Sequence, residues 1–229
     1  MPSLQDKTYQ IIYSQIMALT LRPGQQVSDR QFEEQLGVSR TPVREAMLRL
    51  KRDHLLYSMP QSGTYVTKIN LKNALDARFV RQTLEKTIVS TVANEAKKSQ
   101  IEALVEIVNL QNQAAIHRDI NRSFNLDNDF HRKLYEFADK ATVWDWQLTF
   151  STDLNRYRLL RVHDNNLPLS LLTHEHGAII QALINHDARQ AEKLIYDHLD
   201  LMLNEQQSVV EKFPNYFKNI NNLYQSHAV

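Results

Sequence analysis

The sequence predicts a mainly α-helical chain in two parts: three short helices and a small β-hairpin over residues 1–70, then an all-α bundle of six to seven helices over 71–212. Three observations predict it. Turn-forming Gly and Pro are frequent in the first part, whereas between residues 71 and 212 only Pro168 and Gly177 interrupt the chain. The second part carries long runs with a helical apolar period. The first part instead carries short periodic segments, then two extended runs around a Pro/Gly turn.

Taken in order, Tyr9, Ile12, Ile16 and Leu19 repeat with helical period, and Arg22-Pro23-Gly24 stops that helix because proline cannot continue it. Ser28 reads as an N-cap, with Asp29 at the positive helix end and Phe32 and Leu36 facing inward. Gly37 suits a left-handed helix terminus, and Ser39 caps the next helix. There Val43, Ala46, Met47 and Leu50 lie inward, leaving Arg40, Arg44 and Arg49 to project. Leu55–Met59 and Thr64–Thr67 flank Pro60-Gln61-Ser62-Gly63 as a hairpin.

Two short helices joined by Gly37-Val38-Ser39 and followed by a hairpin make a winged helix-turn-helix. Its second helix would enter the major groove of DNA, with Arg40 and Arg44 bonding guanine edges and Ser39 and Thr41 meeting phosphate. Gly63 would let the wing approach nucleic acid closely. Charge agrees in sign: residues 1–70 hold nine Lys/Arg against six Asp/Glu, the remainder eighteen against twenty. The absence of cysteine excludes disulfides and thiolate metal sites and is compatible with a reducing cytoplasm. No run approaches the roughly 20 apolar residues of a membrane span, and the polar Met1–Gln10 is no secretory signal.

In the second part the expected helices are Leu75–Ala96, Ile101–Arg118, Asn121–Ala138, Val143–Val162, Leu171–Asn185 and Ala188–Gln206, and residues 213–229 form a tail or helix fragment. Lys68-Ile69-Asn70 is too short for a floppy linker. Asp127 and His131, four apart, share a helix face, and His176 and His198 fall on two later helices. Three imidazoles and a carboxylate suit a borderline divalent metal. His174 points elsewhere on its helix, and His117, His163, His186 and His227 lack partners. With nine histidines in the chain, spacing alone leaves two readings open: a metal site, or a buried hydrogen-bonded polar cluster.

Leu21-Arg22-Pro23-Gly24, the run Gly37-Val38-Ser39-Arg40-Thr41-Pro42-Val43-Arg44-Glu45-Ala46 and Gly63-Thr64-Tyr65-Val66 resemble the GntR family of bacterial regulators. The resemblance implies DNA-contacting roles for Arg30, Arg40 and Arg44, with Arg49 a further candidate. The chain departs from the family at Asp53-His54, where Glu-Gly is usual, and at Ser62, where a basic residue is frequent. Asp127-Asn128-Asp129-Phe130-His131, Glu175-His176 and Asp197-His198-Leu199 resemble the effector domain of the FadR-like branch, the FCD type. That resemblance implies one divalent ion per chain on Asp127, His131, His176 and His198, with zinc first and nickel, manganese or iron as alternatives. It selects Asp127 over Asp129. Arg81 and Glu85 also match the branch. An Arg beside a metal makes a pocket for a small carboxylate, with Arg156 and Arg158 as assistants. The bland reading of Arg81 is an intrahelical pair with Glu85.

The resemblance as a whole implies a cytoplasmic homodimeric regulator, a repressor rather than an enzyme. It would bind a pseudo-palindromic double-stranded operator and answer to a small organic acid. The rival readings are a metal-dependent enzyme of small carboxylates fused to a DNA-binding head, and a regulator whose metal is purely structural.

Overall fold

Ser3 opens the first helix, α1 (Leu4–Met17), in a reciprocal capping box with Asp6. The structure, a computed structural model, describes residues 3–163, 168–204 and 206–219. α1 ends at Met17, and Leu19 turns into the left-handed region (φ 59°). The helix therefore stops well before Pro23, and Leu19 leaves the face that its spacing suggested. α2 (Asp29–Leu36) is capped by Ser28, whose hydroxyl accepts from the Gln31 amide, and closes on Gly37 at φ 63°. α3 (Arg40–Arg52) follows after two residues.

Strands β1 (Gln26–Val27), β2 (Leu56–Met59) and β3 (Gly63–Val66) make an antiparallel sheet in the order β1-β3-β2, with Tyr57 opposite Tyr65. Ile12, Ile16, Phe32, Val43, Leu50, Leu55 and Val66 are wholly buried between the three helices and this sheet. Burial of such side chains contributes about 1.5–3 kcal/mol each.

β4 (Ile69–Asn70) pairs in parallel with β5 (Phe217–Lys218), placing Ile69 opposite Phe217, after a 3-10 turn over Pro214–Tyr216. Phe217 is buried. The expected tail over 213–229 is therefore corrected for its first residues: they add a strand, because Phe217 finds an apolar partner far away in sequence. Residues 220–229, with His227, lie outside the described residues. By internal contacts, Met1–Leu71 and the segment from Val210 form one unit, and Lys72–Val209 forms the other.

The second unit is built from α4 (Leu71–Glu95), α5 (Lys98–Ile116), α6 (Ile120–Phe137), α7 (Ala141–Phe150), α8 (Thr152–His163), α9 (Leu169–Ile184) and α10 (Ala188–Asn204); α11 (Gln206–Lys212) follows. Where one helix was expected over Val143–Val162 there are two. The Ser151 hydroxyl donates back to the Gln147 carbonyl at 2.6 Å, and its amide bonds Leu148 as the turn tightens. α5 packs on α6 and α9, and α9 packs on α10. Val89, Leu104, Phe130, Leu134, Tyr135, Ile179 and Ile195 fill the space between them. No helix among the described residues is long and apolar enough to cross a membrane.

Candidate metal centre and nucleic-acid interface

Asp127 and His131 occupy successive turns on the inner face of α6, beside the core residues Phe130 and Leu134. His176 comes from the buried side of α9 and His198 from α10. One ligand atom from each of the four lies within 4.8 Å of the others, and all four residues are buried. The nearest approaches are His131 Nε2 to His198 Nε2 at 3.3 Å, His176 Nε2 to Asp127 Oδ1 at 3.6 Å and His131 Nε2 to Asp127 Oδ2 at 3.9 Å.

Each imidazole is fixed from behind. His131 Nδ1 lies 2.6 Å from Glu85 Oε2, His176 Nδ1 lies 2.8 Å from Gln111 Oε1, and His198 Nδ1 lies 2.7 Å from Glu175 Oε2. A carboxylate or amide oxygen only accepts, so each Nδ1 carries the hydrogen and each Nε2 turns a lone pair inward. In that tautomer the 3.3 Å approach of His131 to His198 is not a hydrogen bond: two acceptors face each other. His176 Nε2 is buried without a hydrogen-bond partner. Inward lone pairs with no donor between them, beside a carboxylate, are the donor set that a divalent cation completes.

The electrostatics agree. Burial, then the neighbouring Arg81 guanidinium, pushes His131 down to about 4, against the opposing pull of Glu85. Burial, then His198, also holds His176 well below the ordinary imidazole range. Both rings are thus neutral near pH 7. Burial alone would raise the Asp127 carboxyl, but the neighbouring Arg158 guanidinium overcomes it and keeps the group ionised. Arg158 Nη2 donates to Asp127 Oδ2, and its Nη1 donates to Asn128 at 3.0 Å. Asp129 and His174 are exposed and face away.

Arg81 makes the intrahelical pair with Glu85 and also stands in the wall of a cavity beside the cluster. Its Nε donates to Glu85 at 2.7 Å, and Glu85 passes the connection to His131. A cavity of about 40 Å³ adjoins the cluster, with Arg78, Arg81, Ser123, Asp127, Arg158 and His198 in its wall. Arg156 instead donates to Asp153 at 2.7 Å and is not among the residues lining that cavity. Sequence reasoning missed Gln111, Glu175, Arg78 and Ser123. Gln111 left one faint signal, a polar residue at a buried position of α5. Glu175 stood beside His176 in a matching motif, but adjacent residues on a helix diverge, and its link to His198 is tertiary.

In the first unit, Arg40, Thr41 and Arg44 are exposed on the first turns of α3. Ser39 sits at the N-cap but makes no side-chain capping bond. Arg30 is 87% exposed in its side chain and pairs with Glu34 at 2.8 Å. Arg49 is engaged within the fold: its guanidinium lies 3.9 Å over the Tyr9 ring and pairs with Asp6 at 3.2 Å, while Tyr9 donates to Asp53 at 2.6 Å. Gly63 has φ 127°, and a Cβ there would stand 2.6 Å from Gln26 Nε2, which itself donates to the Ser62 carbonyl. Glycine is required here by the sheet itself.

Residues 4–66 match the family model of bacterial regulatory proteins of the gntR family, and residues 76–201 match that of the FCD domain. The chain is 29% identical over 196 residues to the HTH-type transcriptional repressor RspR of Escherichia coli (strain K12), covering 86% of each chain. It is 27% identical to the Uxu operon regulator of Haemophilus influenzae, over 76% of this chain and 70% of that one. Among solved structures, the fold is that of E. coli McbR/YncC, with a TM-score of 0.75 and 20% identity over 93% of this chain and all of the other. The chain belongs to the gntR family of transcription regulators, with an FCD domain, and is not an enzyme.

Proposed function

As a member of the gntR family with an FCD domain, the chain is, we propose, a homodimeric repressor whose operator affinity is set by a small organic acid bound beside a divalent ion. The observation that carries this reading is the inward convergence of three imidazole Nε2 atoms on the Asp127 carboxylate, each ring anchored at Nδ1. Asp127, His131, His176 and His198 would hold the ion, one per chain, with zinc first and nickel, manganese or iron as alternatives. When bound, the ion supplies a Lewis-acidic centre that accepts a carboxylate oxygen. Glu85, Gln111 and Glu175 orient the rings. Arg81 and Arg158, in the cavity wall, meet the acid; Arg156, bonded to Asp153, secures α8.

The DNA half of the reading rests on the exposed row Arg40, Thr41 and Arg44, with the Ser39 hydroxyl at the N-cap of the same helix, the exposed Arg30 on α2 and Gly63 in the wing. Two such heads suit the halves of a pseudo-palindromic operator in the cytoplasm. Arg49 contributes by fastening α1 to α3. Repression follows the relative named as a repressor.

The test is operator binding by fluorescence anisotropy at saturating zinc, with and without small carboxylic acids, over a salt series. Affinity should fall steeply with salt, because phosphate contacts release counterions, and should shift with acid. A metal that serves structure alone predicts no shift with acid, and a flat salt dependence contradicts a DNA-reading head.

A further inference from the structure

We propose that Leu48 reads a thymine methyl group in the operator, about two base pairs from the guanine that Arg44 meets. This rests on the DNA-reading head just described and adds to it an apolar contact that the arginines do not supply. α3 buries Pro42, Val43, Ala46, Met47 and Leu50. At about 3.6 residues per turn, the middle of the opposite side falls on Thr41 and Leu48, two turns apart. Arg44 and Arg52 stand one turn to either side of Leu48, and both are exposed, as is Glu45. Leu48 is itself 39% exposed.

A single exposed leucine is ordinary on a protein surface. The place of this one is not: it lies at the centre of the face that carries Arg40, Thr41 and Arg44, with a cation on each flank. That surround selects the partner. An apolar protein surface laid over Leu48 would strip water from the Arg44 and Arg52 guanidiniums and give them no anion in return. DNA gives phosphate to the cations, and the floor of its major groove holds one apolar feature, the thymine C5 methyl group. A side chain with neither donor nor acceptor is blind to the other base edges there and gains only from that methyl. The spacing follows from the two helices. One turn of α3 from Arg44 to Leu48 rises about 6 Å, and successive base pairs are about 3.4 Å apart, so the methyl lies about two base pairs on.

Duplexes bound by the full-length protein are selected from a random library, and the preferred duplex is titrated by fluorescence anisotropy. Each thymine of one half-site is replaced in turn by deoxyuridine, which keeps the hydrogen-bonding groups and removes only the methyl. One replacement should weaken the wild type about fourfold, the worth of one methyl group taken out of water, and leave Leu48→Ala unaffected. Leu48→Met keeps an apolar side chain of similar reach and should keep the effect. The guanine whose discrimination is lost in Arg44→Ala should lie about two base pairs from that thymine. Thermal melting checks that the variants fold. A preferred duplex in which no thymine methyl matters, a methyl effect that persists in Leu48→Ala, or a Leu48→Ala that binds as the wild type does, which would leave the leucine to a protein partner, would overturn the proposal. A library that yields no preferred duplex would overturn the DNA-reading head itself, and this contact with it.

Discussion

The two units carry their proposed sites in opposite ways. In the N-terminal unit the side chains proposed to read DNA stand in water on one helix: Arg40, Thr41 and Arg44 are exposed, and the fold beneath them is a separate apolar core. In the helical unit the side chains proposed to hold the ion are themselves core. Asp127, His131, His176 and His198 are buried, and each is tied to a further group that is also wholly or partly buried. An exposed reader changes affinity when altered and leaves the fold alone. A buried centre does both at once, because every polar group in it leaves a stranded partner when it is removed.

The largest effect should come from the buried side. Asp127→Ala leaves Arg158 without its carboxylate and the imidazoles without their anion, so it should cost about 3–5 kcal/mol in chemical denaturation and abolish metal uptake. Retained stability would erase the contrast between the units. The same network titrates. An unfolded imidazole ionises near 6.5, whereas His131 is pushed down to about 4 and His176 is also held low. Below pH 6.5 the unfolded chain binds protons that the folded chain refuses. The metal-free protein should therefore lose stability as pH falls from about 6.5 to about 4, measured by melting across that range.

Next comes Phe217→Ala, which removes the buried anchor of β5 and should cost about 1.5–3 kcal/mol. Its effect should fall on the unit that contains Ile69, read by hydrogen exchange of residues 1–71 against 72–209. Uniform loss across both would mean that the two do not unfold separately. Arg44→Ala should weaken specific operator binding by about 1–3 kcal/mol in a gel-shift titration without moving the melting temperature. A variant that melts early would place Arg44 in the fold rather than on DNA. The smallest effect is expected at His54, which holds φ 57° directly after α3. His54→Gly should stabilise by about 1 kcal/mol, because glycine meets no Cβ penalty there.

How legible each unit was in the sequence follows from the same contrast. The head is made of contiguous signals: Val38 to Ala46 spells turn, cap and reading helix in one run, and the wing follows within twenty residues. Asp127 and His131 were also legible, because a spacing of four on an amphipathic helix fixes a shared face. What could not be read was tertiary. Gln111 and Glu175 reach His176 and His198 across 65 and 23 residues, and spacing carries no trace of that. β5 pairs with β4 across the whole helical unit, so a strand two residues long looked like tail. Ser151 divides α7 from α8 through a hydroxyl that bonds its own helix, a choice that apolar periodicity over Val143–Val162 does not register. His54 was visible as a departure from the usual glycine, and the left-handed backbone there shows why glycine is usual.

The central claim is that the buried cluster of the helical unit is a metal site and the exposed row of the head is not part of it. Elemental analysis of the wild-type chain, His198→Ala and Arg44→Ala, each purified without chelator and offered zinc, tests this directly. The account predicts one equivalent of divalent metal in the wild type and in Arg44→Ala, and a marked loss in His198→Ala. No metal in the wild type, or equal metal in all three, would contradict it.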